Sequence, residues 1–212
     1  MNGESNFGIN NIGKVLRDPI PRGHSIFVFG PPGSGKTTFS LQYLTHGATN
    51  HGEVGLLVSF YQDRKSILSE AKYFGWHLKK FESSNIVQLQ DAPPGSKEWR
   101  NWKNNCRGFV EDIWEKIEED DVERLVIDGI EELSRLCDDY EGLRAEVNKL
   151  IRECRDNDCT LIMTASSEIG IEDIVDGIIE LSWRESGGSN KKFMRIRKMK
   201  RCDYSDVYVP FK

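Results

Sequence analysis

The sequence predicts an α/β fold in which a mostly parallel β-sheet is covered by helices and carries an antiparallel hairpin at its C-terminal edge. Short apolar runs alternate with amphipathic stretches of helical period along most of the 212 residues. This alternation is typical of parallel strands joined by helical crossovers. The glycine-rich loop GPPGSGKT follows the first apolar run. Near the end of the chain, two strand-like stretches flank the segment GGSN, which indicates a hairpin.

The first half of the chain alternates buried strands with amphipathic helices. Apolar Phe39, Tyr43 and Ala48 recur at helical spacing after the glycine-rich loop, and they share one face of the predicted helix. Ile67, Leu68, Ala71 and Phe74 do the same in the next helix, where they are predicted to face inwards. The predicted strands are 25–30, 54–60 and 86–90, and the predicted helices are 36–50 and 63–75.

The second half continues this alternation before the pattern changes to antiparallel strands. The predicted elements are helices 108–119 and 141–156, strands 124–129 and 160–166, the hairpin strands 177–186 and 191–200, and a last strand at 207–211. Residues 91–107 form the one long stretch without a regular pattern. No internal repeat or linker divides the chain, so the sequence predicts a single domain over 1–212.

Composition and charge limit the classes of function. The chain carries 34 acidic and 29 basic residues, for a net charge of −5. Because nucleic-acid binders are usually basic, this balance disfavours general nucleic-acid binding, although it leaves room for a local basic patch. The first residues lack the pattern of a secretory signal, and no apolar run approaches the roughly 18 residues that span a bilayer. We therefore expect a cytoplasmic protein without a membrane segment.

The cysteines predict reduced thiols. There are five, an odd number, and no two form a CxxC pair. Zinc sites and disulfide frameworks normally show closer and more regular spacing. The cysteines are Cys106, Cys137, Cys154, Cys159 and Cys202.

The loop GPPGSGKT at 30–37 matches the phosphate-binding pattern G-x-x-x-x-G-K-[ST], with a predicted strand before it and a helix after it. Gly33 and Gly35 allow successive backbone N–H groups to face an anion, and the helix N-terminus adds positive potential. Lys36 supplies a charge for the β- and γ-phosphates, and the Thr37 hydroxyl can ligate Mg²⁺. The predicted nucleotide-binding residues are Pro32, Gly33, Ser34, Gly35, Lys36, Thr37 and Thr38.

Asp128 ends the predicted strand RLVID. A carboxylate at the end of a buried strand near a phosphate loop can hold Mg²⁺, directly or through water. An aspartate at a strand end also commonly caps the following turn. Together with the phosphate loop, Asp128 is predicted to share the metal with Thr37.

Several stretches resemble the KaiC-like members of the RecA superfamily of ATPases. DPIPRGHSIFVFGPPGSGKTTFSLQYL (18–44) resembles the family's first strand and Walker A loop, and RLVIDGIEEL (124–133) resembles its Walker B strand. More specific are the FGW helix within 67–78 and the DGIIEL and KMK strands within 164–205. The resemblance covers nearly the whole chain.

This resemblance implies a RecA-like three-layer αβα core of the P-loop NTPase type that binds ATP with Mg²⁺. It also implies a homo-oligomer, often a hexameric ring, in which a basic residue of one subunit reaches the γ-phosphate held by its neighbour. Lys198 and Lys200 stand at the matching positions, and they alternate with Met199 so that both point to one face of the strand. The alternative is a solvated edge strand whose lysines prevent aggregation.

The segment SFYQD at 59–63 departs from this resemblance. Members of the family typically carry one or two glutamates here, one of which activates the attacking water, whereas this chain has Tyr61 and Gln62. Neither side chain accepts a proton near neutral pH. Gln62 can instead orient water, or Asp63 can act as the base, or hydrolysis is slow or absent. Asp63 is equally suited to cap the next helix, with Ser66 three residues later.

Two further stretches leave alternatives open. Thr164, Ser166 and Ser167 follow the fifth strand, where they either sense the γ-phosphate or serve ordinary turn chemistry. The stretch EWRNWKNNCR (98–107) places Trp99 and Trp102 among basic residues. It is either a loop that the tryptophans pin to the core, a protein interface, or a surface for single-stranded nucleic acid.

Three hypotheses on function follow. The first is an oligomeric KaiC-like ATP-binding protein with slow or weak Mg²⁺-dependent hydrolysis and a regulatory or signalling role. The second is an ATP-gated module that binds a protein partner without hydrolysis. The third is a RecA-paralogue accessory in DNA repair.

Overall fold

An eight-stranded β-sheet forms the centre of the fold. The computed structural model describes residues 4–102, 105–137, 139–186 and 189–211. The strands of this sheet are β3 (Ser25–Phe29), β4 (Gly55–Ser59), β5 (Val87–Asp91), β6 (Arg124–Asp128), β7 (Thr160–Ala165), β8 (Gly177–Ser186), β9 (Ser189–Met199) and β10 (Val209–Pro210). Their spatial order is β10-β9-β8-β3-β7-β6-β4-β5. All pairings from β8 to β5 are parallel, whereas β9 and β10 join in antiparallel fashion.

Helices cover both faces of this sheet. They are α1 (Lys36–Asn50), α2 (Arg64–Tyr73), α3 (Leu78–Ser83), α4 (Lys97–Trp102), α5 (Cys106–Glu119) and α6 (Tyr140–Asp156), with 3-10 helices at Ile12–Lys14 and Ile130–Arg135. The apolar side chains of α1–α3 pack on one face and those of α4–α6 on the other. The predicted three-layer αβα architecture with a C-terminal hairpin is therefore confirmed. Among the described helices, none has the length and apolar character needed to cross a membrane.

The central strands align their carboxyl ends at one edge of the sheet. Every residue of β4, β6 and β7 is buried, which explains why these strands read as continuous apolar runs. In the parallel register Ser59 pairs with Asp128, and Asp128 pairs with Thr164. The chain thus leaves three neighbouring strands at the same level, beside the phosphate loop that follows β3. This edge is where ligands bind in open α/β sheets.

Short elements depart from the predicted boundaries. The helix predicted over 63–75 ends at Tyr73, and the six-residue α3 follows it. The prediction that Phe74 faces inwards is wrong: it caps the end of α2 and is 41% exposed. The stretch predicted to be irregular contains α4, and α5 begins at Cys106 rather than at residue 108. The unpredicted strands β1 (Glu4–Ser5) and β2 (Ile20–Pro21) form a separate two-stranded sheet. Elements of two to six residues carry too few periodic positions to be recognised in a sequence.

The C-terminal hairpin has a tighter turn than predicted. Ser186 pairs with Ser189, so that Ser189 and Asn190 belong to β9 rather than to a four-residue turn. The remaining turn positions, 187 and 188, lie outside the described residues. A register shift between Ile178 and Ile179 marks an irregularity in the ladder.

The tryptophans of the 98–107 stretch belong to the core. Trp99 contacts Phe60 edge-on, and Trp102 contacts Phe109 in the same manner, with both indoles buried. Arg107 forms an ion pair with Glu111 one turn along α5. Lys103 lies outside the described residues. Of the three alternatives, the geometry favours a loop pinned to the core, because buried indoles are not available to stack on bases.

The prediction of five reduced thiols is wrong for two of them. Cys106 and Cys137 form a disulfide, with their Cα atoms 4.9 Å apart. The two cysteines lie 31 positions apart in the sequence. Only the tertiary structure therefore reveals that the start of α5 meets the segment after the second 3-10 helix. The other three cysteines are free, and Cys154 and Cys159 are buried.

A buried ion pair joins the N-terminal segment, α1 and β6. The Arg124 side chain is 1% exposed and pairs with Glu53. Its Nη1 donates to the carbonyl oxygens of Asn6 and Tyr43, each at 2.9 Å, and the guanidinium lies 4.3 Å from the centre of the Tyr43 ring. Arg22 donates to the second oxygen of Glu53 at 2.5 Å. Such a pair fixes geometry, because each charge is costly to bury alone.

Replacing Glu53 by alanine is expected to lower the free energy of unfolding by about 3–5 kcal/mol, because the Arg124 guanidinium stays buried without its carboxylate. Urea unfolding measures this change as a lower midpoint. Arg107→Ala, which removes only an exposed ion pair, is the control and should barely move the midpoint. Equal shifts in the two variants would contradict the expectation.

Candidate nucleotide-binding site

The phosphate loop connects β3 to the N-terminus of α1. Gly33 has φ of 79° and Gly35 has φ of 103°, conformations that glycine adopts without steric cost. A Cβ atom on Gly35 would also lie 2.7 Å from the Phe211 ring. The backbone therefore curls as the motif predicts, with the first N–H groups of α1 free of helical partners. Such N–H groups form a binding site for anions.

Lys36 lies at the mouth of this loop. Its Nζ donates to the carbonyl oxygens of Gly30 at 2.7 Å and of Pro31 at 3.3 Å. Burial lowers the pKa of Lys36, and the nearby carboxylates of Asp128 and Glu131 oppose that shift. The ammonium group is thus held where it can exchange loop carbonyls for phosphate oxygens.

Asp128 is held by two threonines that come from different elements. Thr37, on the first turn of α1, donates to Oδ2 at 3.0 Å, and Thr164, on β7, donates to Oδ1 at 2.6 Å. Thr164 also accepts the backbone N–H of Gly129 at 3.1 Å. Burial raises the pKa of Asp128, and the hydrogen bonds from Thr164 and Thr37 partly offset that rise. The predicted metal pair, Thr37 and Asp128, is therefore in contact.

The donor set fits Mg²⁺. A hydroxyl and a carboxylate converge beside a phosphate-binding loop, and Mg²⁺ is commonly held by one or two such oxygens together with phosphates and water. Within the described residues, no cluster of three or more histidine, cysteine or acidic side chains offers a separate metal site. The buried Ser34 hydroxyl has no hydrogen-bond partner there either, which leaves it available to a ligand in the loop.

A cavity of about 640 Å³ extends from the phosphate loop to α2 and to the start of β9. Pro32 and Thr38 line it, so that all the predicted loop residues lie in or beside it. Two unpredicted residues also line it, Glu70 from α2 and Lys192 from β9. Their distance from the motif in sequence gives no local signal of this role.

The residues at 61 and 62 have distinct positions in the wall of this cavity. The Tyr61 ring covers Gly129, where a Cβ atom would lie 2.8 Å from the ring. Burial and the neighbouring Glu131 carboxylate raise the pKa of Tyr61 far above its usual range. Gln62 donates through Nε2 to Glu70 Oε2 at 3.2 Å, while its buried Oε1 has no partner in the described part of the chain. Gln62 therefore lines the cavity and carries a buried acceptor that has no partner among the described residues.

Asp63 serves as the N-cap of α2. Its Oδ1 accepts the backbone N–H of Ser66 at 2.8 Å, and this bond lowers the pKa of Asp63. The side chain is exposed and does not line the cavity. The capping alternative is therefore the one that the geometry supports.

Glu70 and Glu131 are the carboxylates that the sequence analysis did not assign to the site. Glu70 accepts from the Thr38 hydroxyl at 3.0 Å as well as from Gln62. Glu131 accepts the backbone N–H of Ser166 at 2.7 Å. Glu131 follows Asp128 by three residues, so its position near the site could have been predicted from the sequence.

Of the polar residues at the end of β7 and just after it, some belong to the site and one lies outside it. Thr164 holds Asp128, and Ser166 lines the cavity. Ser167 donates to the carbonyl oxygen of Glu168 at 3.3 Å, which is turn chemistry. The geometry therefore supports turn chemistry for Ser167, and a γ-phosphate-sensing role of Thr164 and Ser166 stays a prediction.

Lys198 and Lys200 do not line the cavity of their own chain. Lys198 Nζ donates to the carbonyl oxygens of Val175 at 2.7 Å and Glu172 at 2.9 Å. Lys200 Nζ lies 3.2 Å from Asp176 Oδ1. Burial alone would raise the pKa of Asp176, but hydrogen bonds from Ser25, Lys200 and Arg155 lower it to about 2. Both ammonium groups thus bind the segment 172–176.

Comparisons with known proteins agree with this geometry. The family model for the KaiC ATPase matches residues 6–212. The circadian clock oscillator protein KaiC of Prochlorococcus marinus MED4 is 28% identical over an alignment of 216 positions. The alignment covers 96% of this chain and 42% of that protein. The chain therefore spans less than half the length of the KaiC relatives it matches.

Two proteins of Pyrococcus horikoshii match over nearly their full length. The UPF0273 protein PH0284 is 27% identical over 96% of this chain and 88% of its own. The crystal structure of the KaiC-like protein PH0186 superposes with a TM-score of 0.85 at 26% identity, covering 100% of this chain and 95% of that one. The chain belongs to the KaiC ATPase family of the RecA superfamily.

Proposed function

We propose that this protein binds ATP with Mg²⁺, hydrolyses it slowly, and acts as a nucleotide-dependent regulatory switch within a homo-oligomer. Family membership makes it an ATP-binding protein of the RecA superfamily. The observation that carries the slow hydrolysis is the placement of Gln62, an amide that cannot accept a proton, at the wall of the cavity beside Glu70.

The phosphate loop supplies most of the binding. The N–H groups at the start of α1 and the helix dipole bind phosphate oxygens, and Lys36 moves from the loop carbonyls to the β- and γ-phosphates. Thr37 and Asp128 hold Mg²⁺, which when bound offsets the charge of the phosphates. Thr164 keeps the Asp128 carboxylate turned towards Thr37.

Water activation is the weak step. Asp63 caps α2 outside the cavity, and Glu70 accepts from both Thr38 and Gln62. Glu131 accepts the Ser166 N–H through Oε1, and its Oε2 is buried without a partner in the described part of the chain. The free Oε1 of Gln62 can orient a water molecule, with Nε2 fixed by Glu70. A residue that orients water without accepting its proton does not supply the rate enhancement of roughly 10²–10⁴-fold that a general base contributes. ATP therefore remains bound for long enough to act as a signal.

A non-hydrolysing, ATP-gated interaction module is the second candidate. The capping role of Asp63 favours it, because the one carboxylate of the SFYQD segment is exposed and engaged outside the cavity. In that case the bound nucleotide only selects the conformation that a protein partner recognises. Measured turnover distinguishes the two candidates.

Lys36→Ala is expected to abolish the binding of Mg-ATP, because the charge at the β- and γ-phosphates is lost. Isothermal titration calorimetry measures this directly. Lys14→Ala, an exposed lysine of the first 3-10 helix, is the control and should bind as the unchanged protein does. Undiminished affinity in Lys36→Ala would contradict the proposed phosphate site.

Gln62→Glu is expected to raise steady-state turnover at least tenfold from a rate well below about 1 per second, because it restores a general base. Asp63→Asn preserves the helix cap, since asparagine caps as well as aspartate, and should leave the rate unchanged. Phosphate release is measured on both variants. A rate of several per second that survives Gln62→Ala and Asp63→Ala would refute slow hydrolysis.

Lys200 of one subunit is proposed to reach the nucleotide of its neighbour on assembly, leaving Asp176. Sizing by light scattering should show a larger assembly with Mg-ATP than without it. Lys200→Ala should lower turnover but bind ATP normally, and mixing it with Lys36→Ala should restore part of the activity. Full turnover in Lys200→Ala alone would contradict a role in trans.

A further inference from the structure

One side of α2, the following turn and α3 form a surface that the nucleotide site does not use, here called the basic-aromatic surface. A cavity of about 590 Å³ opens between these elements. Six of the residues that line it are basic: Arg64, Lys65, Lys72, His77, Lys79 and Lys80. None of its lining residues is acidic. The positive charge is thus concentrated locally in a chain whose net charge is −5.

The positive charge of this surface is available to a ligand. Arg64 is neutralised by Glu82, to which it donates through Nη2 at 2.6 Å. By contrast, Lys65, Lys72, Lys79 and Lys80 are exposed and form no ion pair within the described ranges. These four ammonium groups, two on α2 and two on α3, can contact an anion that carries several negative groups.

Exposed aromatic rings border the same lysines. Tyr73 is 85% exposed and Phe74 is 41% exposed. The Phe74 and Trp76 rings stack, with centroids 4.9 Å apart and planes 23° from parallel, and Tyr73 meets Phe74 edge-on at 5.2 Å. The Trp76 indole also lines the cavity. Large exposed rings that lie in contact with one another, as Tyr73 and Phe74 do, are typical of a binding surface.

The backbone holds these rings in place. Gly75, with φ of 77°, ends α2 in a Schellman motif: Trp76 N–H donates to the Ala71 carbonyl at 2.9 Å, and Gly75 N–H donates to that of Lys72 at 3.0 Å. This turn reverses the chain between Phe74 and Trp76, so that their rings can stack. The aromatic platform is therefore built before any ligand arrives.

We propose that the basic-aromatic surface binds single-stranded nucleic acid. Lysines that follow a phosphodiester backbone, combined with aromatic planes on which unpaired bases stack, are the two elements of sequence-tolerant single-strand binding. An acidic peptide would use the lysines but not the exposed rings, and a duplex would keep its bases away from them. The proposal is independent of the nucleotide site, because it rests on other residues.

Fluorescence anisotropy with a labelled 15-nucleotide oligo-dT tests the proposal. Four lysine contacts predict a slope of about −3 in a plot of log affinity against log salt concentration, and Lys72→Gln with Lys79→Gln should make it shallower by about 1.4. Phe74→Ala should weaken binding about 5- to 150-fold with the slope unchanged. The double variant Lys14→Gln with Lys116→Gln, which removes the same charge elsewhere, should bind as the unchanged protein does.

Several outcomes would overturn the proposal. They are no binding of oligo-dT and equal binding of a duplex of the same length. A third is an equal loss of affinity in the variant Lys72→Gln with Lys79→Gln and in the control Lys14→Gln with Lys116→Gln. Binding of vesicles rich in phosphatidylserine, or of a polyglutamate peptide, in place of oligo-dT would assign the surface to a membrane or to an acidic protein instead. Tyr73→Ser repeats the stacking test of Phe74→Ala at a side chain that is 85% exposed and has little packing to lose.

Discussion

The buried carboxylate of Asp128 is the contact on which the arrangement of the site depends. It lies at the end of β6, and the hydroxyl groups of Thr37 and Thr164 hold its two oxygens. Because burial makes an unpaired carboxylate costly, β6, β7 and the start of α1 must keep their relative positions. This constraint sets the phosphate loop at the same level as the strand ends that complete the nucleotide cavity. The proposed site for ATP and Mg²⁺ therefore depends on the buried contacts of Asp128.

Helix α2 connects this rigid site to the rest of the surface. Its ten residues begin at the cap formed by Asp63, direct Glu70 into the nucleotide cavity, and carry Lys65 and Lys72 on the basic-aromatic surface. The segment that lacks a catalytic glutamate thus leads directly into a helix that contacts both cavities. A change at Gln62 on nucleotide binding would reach α2 through Glu70. Such a placement suits a protein whose nucleotide serves as a signal more than as fuel.

The sequence predicted long elements better than short ones. The buried strands β3, β4, β6 and β7 and the helices α1 and α6 lie within one or two residues of their predicted bounds, because covering both faces of a sheet leaves a continuous apolar run. The elements β1, β2, α3 and α4 are too short to show a period. The 98–107 stretch mixed aromatic and basic residues, and only packing showed that the tryptophans face inwards, while the exposed aromatic and basic surface lies at 64–80 instead.

The sequence by itself determined the phosphate loop, the candidate pair Thr37 and Asp128, and the layered fold. Each depends on local order: glycine at fixed spacing, a hydroxyl beside a lysine, or a period of apolar residues. The tertiary structure selected the helix cap among the roles that the sequence left open for Asp63, and it alone decided that Glu70 holds Gln62 and that Cys106 meets Cys137. These contacts join side chains whose rotamers and partners depend on packing between elements, which no local pattern records. For that reason the absence of a glutamate from SFYQD could be read from the sequence, but the contact between Gln62 and Glu70 could not.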